Sequence, residues 1–70
     1  MIARDAIALL TQFPPEEPVF ILRGRDPLAA QTVYDWAARA ERHNVNSAKV
    51  HGALEAGSAM LHWPTKKMPD

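Results

Sequence analysis

The sequence predicts a small, mainly α-helical domain, and three observations carry that expectation. Apolar residues recur at helical spacing in three separate stretches. Proline- and asparagine-centred breaks divide those stretches at Pro14–Pro18, Gly24–Pro27 and Asn44–Ser47. Only one run, Val19-Phe20-Ile21-Leu22, has the β-branched and aromatic character of a strand.

Residues 2–12 place Ile2, Ala3, Ala6, Ile7, Leu9 and Leu10 at helical spacing, with Arg4, Asp5 and Gln12 largely opposite, which predicts a short helix within 1–13. Residues 14–18 hold three prolines and two glutamates and read as an extended connector. Val19–Leu22 follows as one short extended or β segment. A single strand has no partner in this chain, so it either pairs with its copy across a dimer axis or packs as coil on the helices. Asp26 is a good N-cap residue and Pro27 suits a first helical position, so a helix is expected over 27–43. Ala29, Val33, Trp36, Ala37 and Ala40 form its apolar stripe, with Trp36 as the large core residue. A second helix over 47–62, capped by Asn46 or Ser47, carries Val50, Leu54, Gly57 and Leu61 on one face. Small residues Ala48, Gly52, Ala56 and Ala59 line another, where the two glycines suggest close approach of a neighbouring helix. The two long helices form an αα-hairpin or contribute to an oligomer seam. Pro64 ends the last helix after Trp63, and the tail 64–70 is too polar to fold alone. The whole of 1–70 is one domain, with 19–63 as its core.

Size makes this domain marginal. The chain has 70 residues, no cysteine, and an apolar fraction of 47% in which twelve residues are alanine. Burying about 4,000 Å² of apolar surface is worth about 100 kcal/mol at ~25 cal/mol/Å². Ordering the chain costs about 105 kcal/mol at ~1.5 kcal/mol per residue. One copy nets close to zero, so homo-oligomerisation is expected to complete the fold.

Composition also limits function. Eight Lys+Arg balance eight Asp+Glu, which removes the global basic field that nucleic-acid binding exploits. A nucleic-acid role through Arg39, Arg42, Lys49, Lys66 and Lys67 is therefore disfavoured. No long apolar run predicts a membrane span or signal segment, and the absence of cysteine suits a reducing cytoplasm.

The stretch Arg23-Gly24-Arg25-Asp26-Pro27 is the strongest binding signal. Two guanidiniums precede a helix start, where unsatisfied N–H groups and the dipole favour phosphate or carboxylate. Against this, Asp26 fills part of such a site, and both arginines could simply pair with Glu16, Glu17 or Asp26. Tyr34 or Trp63 would stack a base, unless they serve only as packing. Lys66 and Lys67 either add charge to that site or belong to a frayed, solvated tail. The candidate ligand-binding set is thus Arg23, Arg25, Tyr34, Trp63, Lys66 and Lys67.

His51, Glu55, Ser58 and His62 share one helix face, but the two histidines lie about 16 Å apart along the axis at ~1.5 Å per residue. One zinc ion cannot join them within a helix, so a polar face is expected rather than a metal site. No thiol exists, neither Ser47 nor Ser58 sits in a nucleophile-elbow motif, and adjacent Glu16 and Glu17 point apart. Neither catalytic residues nor cofactors are expected.

Glu17–Asp26, Val33-Tyr34-Asp35-Trp36-Ala37 and the ending Trp63-Pro64-Thr65-Lys66-Lys67-Met68-Pro69-Asp70 together resemble a group of very small bacteriophage and prophage accessory proteins. The resemblance covers residues 17–70. It implies an accessory role in the host cytoplasm, such as sequestering a nucleotide-type signal in counter-defence or inhibiting a host protein. It assigns no role to any individual residue.

Overall fold

A computed structural model describes residues 1–70. Three helices follow one another: α1 (Ala3–Leu10), α2 (Ala29–Arg42) and α3 (Ser47–Leu61). The expected mainly helical class is observed, with α1, α2 and α3 shorter than the expected 2–12, 27–43 and 47–62 by three, three and one residues. No strand forms. Val19–Leu22 runs without ladder hydrogen bonds, because the chain offers it no second extended segment to pair with.

α2 and α3 pack as the αα-hairpin, and they are the only helices in mutual contact. Their turn is defined by its caps. Val45 N–H donates to the Ala40 carbonyl and Asn44 N–H to that of Glu41, both at about 3 Å, while Asn44 takes φ 59°. This is a Schellman motif with asparagine in the left-handed position, and Val45 packs against the cluster of Ala37, Ala40 and Val50. Asn46 then opens α3, its Oδ1 accepting from Ala48 N–H at 2.8 Å. Asn46→Ala should cost about 1 kcal/mol. A drop in the thermal midpoint of about 4–8 °C, measured by circular dichroism, would register that loss.

At the start of α2, Asp26 Oδ1 accepts from Leu28 N–H at 2.8 Å. The carboxylate caps a turn through Pro27 and Leu28, and regular helix begins at Ala29 rather than at Pro27. The boundary shifts, but the device is the expected one.

The interior is made of small residues. Ala29, Ala30, Ala37, Ala40 and Val50 are buried together with Gly57, and no large side chain is fully enclosed. Two expectations are corrected here. Trp36 is 39% exposed. It precedes Ala37 by one residue, about 100° round the helix, and the alanine-lined contact leaves no room for an indole. Leu54 and Leu61 also lie outside, flanking the contact instead of entering it.

The two glycines of α3 separate cleanly. A Cβ at Gly57 would sit 2.7 Å from Tyr34 Cε1, so the phenol ring occupies the space that glycine vacates. Nothing lies within 4 Å of the corresponding position at Gly52, and close packing therefore explains only one of them.

α1 contains no buried residue, and Ile2 and Ile7 of its neighbourhood face solvent. The total accessible surface is 5918 Å². A folded monomer of this mass exposes about 4,400 Å². The radius of gyration, 12.9 Å, likewise exceeds the about 11 Å expected for 70 residues. The chain is more open than a compact domain of its length.

Candidate functional site

The tail is where the structure departs most from the sequence expectation. It is not frayed. Lys67 N–H donates to the Arg25 carbonyl at 2.9 Å, and Lys66 Nζ donates to the Gly24 carbonyl at 2.8 Å and to that of Met60. Trp63 lies against Gly24, where an added Cβ would meet its Cβ and Cγ at 3.5 and 3.6 Å. Residues 63–67 therefore fold back over the loop that precedes α2. The polar tail cannot order itself, but the Met60 carbonyl at the end of α3 and the Gly24 and Arg25 carbonyls of the loop give its lysines acceptors.

This return creates a recess of about 280 Å³. Phe20, Ile21, Leu22, Arg23, Arg25 and Asp26 line it from the segment before α2, and Lys67, Met68 and Pro69 from the tail. Three cationic residues face one anionic residue there. Neither arginine makes an ion pair; the expected alternative partners Glu16, Glu17 and Asp26 are not joined to them. Lys67 Nζ contacts exposed Asp70 Oδ1 at 2.9 Å, an i,i+3 pair open to solvent that holds its geometry weakly. Asp26 is occupied by capping Leu28, so its charge is partly committed to the backbone.

Of the six nominated ligand-binding residues, the fold brings Arg23, Arg25 and Lys67 to this recess. Lys66 stands beside it with its ammonium used on two carbonyls. Trp63 packs on Gly24 and stays 56% exposed. Tyr34 is elsewhere, inside the hairpin against Gly57. Phe20 is the lining residue that reading the sequence missed. Its run looked like a strand, yet the unpaired segment leaves Phe20 87% exposed at the edge of the recess. The signal that could have found it is the spacing itself: an aromatic residue three and five positions before two arginines in an unpartnered segment.

A second, shallower recess of about 240 Å³ lies over the hairpin turn, lined by Glu41, Val45, Ser47, Val50, His51 and Leu54. On the polar face of α3, His51 Nε2 and Glu55 Oε1 are 3.1 Å apart, and His62 Nδ1 lies 2.8 Å from the Ser58 carbonyl. These are local one-turn contacts, and no three His, Asp or Glu side chains are grouped for a metal. No helix is long and apolar enough to cross a membrane.

Compared with known proteins, the chain matches no family model, no curated protein and no solved structure.

Proposed function

We propose that this chain is a non-catalytic binding protein that captures a phosphorylated, nucleotide-type small molecule in the recess between residues 20–26 and 67–69. The observation that carries the reading is a pair of guanidiniums, Arg23 and Arg25, that share one recess with Lys67 and have no carboxylate partner. Arginine forks match phosphate oxygens in bidentate geometry, and a neighbouring ammonium adds charge without further geometric demand. Phe20 supplies a ring face for a base, and Ile21, Leu22 and Met68 supply apolar contact for its edges. The capture role fits the resemblance to phage and prophage accessory proteins working in a host cytoplasm.

The same reading has the protein act as a homo-oligomer. Its support is the surplus of about 1,500 Å² over a compact monomer, enough for the roughly 800 Å² per partner of an ordinary interface. Light scattering at low micromolar concentration should give at least twice the 7.8 kDa chain mass. A compact monomer there would remove the oligomer from the proposal. Ile7→Asp, on the uncovered helix α1, should lower the mass while leaving the hairpin helical.

Thermal melts in the presence of ADP, cyclic dinucleotides and inorganic phosphate test the capture. At 100-fold excess over the dissociation constant a captured ligand adds about 2.7 kcal/mol. No upward shift with any of them would sink this reading. A second reading, inhibition of a host protein, draws on the exposure of Val19, Phe20 and Ile21 in a segment without a strand partner. It predicts no nucleotide shift and protection of residues 19–21 from exchange when the partner binds.

A further inference from the structure

We infer that Lys66 is a positioning residue, a latch that holds the tail against the 23–25 loop and thereby erects the second wall of the anion recess. This rests on the capture reading for its purpose, but the latch is a separate physical claim. The two acceptors of its ammonium belong to different parts of the chain. Gly24 lies 42 residues away in the loop before α2, and Met60 lies six residues away in the last turn of α3. One cation therefore ties three segments together: loop, helix end and tail.

The chemistry of each contact favours lysine. The Met60 carbonyl stands at the negative end of α3, among the last carbonyls that the helix leaves without full partners. It also accepts from Trp63 N–H at 3.2 Å, which turns the chain out of the helix towards Gly24. The ammonium has three rotatable donors, so it reaches both carbonyls without the planar demand of a guanidinium. Trp63 lies beside Gly24, close enough that a Cβ added there would meet its Cβ and Cγ at ordinary van der Waals distance. The next residue, Lys67, then delivers its N–H to Arg25 and places itself, Met68 and Pro69 on the recess. Lys66 itself does not line the recess. Its effect on a ligand passes through the tail that it positions, and through the carbonyl of Gly24, which stands between the two arginines.

The test compares the full chain with Lys66→Met and Lys66→Arg. Nuclear Overhauser contacts between the Trp63 indole and the Gly24 α-protons report the latch, and titration with ADP reports the recess. Lys66→Met should lose the Trp63–Gly24 contacts, keep its helical circular dichroism, and bind ADP at least about tenfold more weakly, a loss of about 1.4 kcal/mol. Lys66→Arg, which keeps a cation and several donors but in a planar fork, should restore both in part. Retention of the Trp63–Gly24 contacts in Lys66→Met would overturn the latch. Loss of those contacts with unchanged ADP affinity would overturn its positioning role. If the unaltered chain binds no ADP, the capture reading loses its support, while the Overhauser comparison still decides the latch.

Discussion

Gly57→Ala is expected to lower the thermal midpoint by about 4–8 °C, the equivalent of a net loss of about 1 kcal/mol in a domain of this size. The added Cβ would fall 2.7, 3.0 and 3.2 Å from Cε1, Cδ1 and Cζ of Tyr34, so a whole ring edge must move rather than a flexible chain end. Overpacking of this kind costs about 1–3 kcal/mol. It outweighs the gain of about 1 kcal/mol that alanine brings to a helix interior in place of glycine. Gly52→Ala isolates that gain. Its Cβ enters open space, so the same substitution five residues earlier should raise the midpoint by about 4–8 °C. Opposite signs on one helix exclude a generic effect of removing glycine. In a Tyr34→Leu background the cost of Gly57→Ala should shrink, and the mismatch in a double-mutant cycle measures the contact. Equal stabilisation by both alanines would mean that Tyr34 does not occupy the notch at Gly57.

Arg23→Ala combined with Arg25→Ala should weaken ADP binding by at least about 100-fold, some 2.7 kcal/mol. Hydrogen bonds to charged groups contribute about 1.5–3 kcal/mol each, so two lost forks are sufficient. Stability should barely change, since neither guanidinium is in an ion pair within the chain. That separation matters, because it keeps a loss of binding from being a loss of fold. Arg39→Ala with Arg42→Ala, an equal change in net charge on α2, is the control and should leave affinity intact. Raising ionic strength should weaken the original chain more than the double variant, because screening acts on the charges that the variant lacks. Equal losses in both double variants would replace a specific recess by a diffuse field.

Much of the fold was legible because helical signals are local. Asn46 as a cap, the stop at Asn44, and the end of α3 before Pro64 all follow from residue chemistry within one turn. What packs on what was less legible. Trp36 has the right periodicity for the core and the wrong size for it: five small side chains and a glycine make the interior, and the helices close before an indole can enter. Size complementarity is a property of two surfaces together, and a single-helix pattern does not contain it. At the candidate site, Arg23 and Arg25 were legible as charge ahead of a helix, but whether they pair with Glu16, Glu17 or Asp26 was not, since that depends on how the loop folds. Phe20 was not, because the same residues fit a strand whose partner the chain lacks. The tail was the largest miss. Polar composition predicts solvation when a segment is judged alone, but Lys66 finds the Gly24 carbonyl 42 residues upstream, a relation that no window of local composition spans.

An interior of methyl groups and backbone carries a thermodynamic signature. Opening the α2–α3 contact hydrates little hydrocarbon, so the heat-capacity increment of unfolding is small and the curve of stability against temperature is flat. Such a protein loses its structure gradually on warming and keeps it on cooling, a profile set by alanine and glycine at the helix contact.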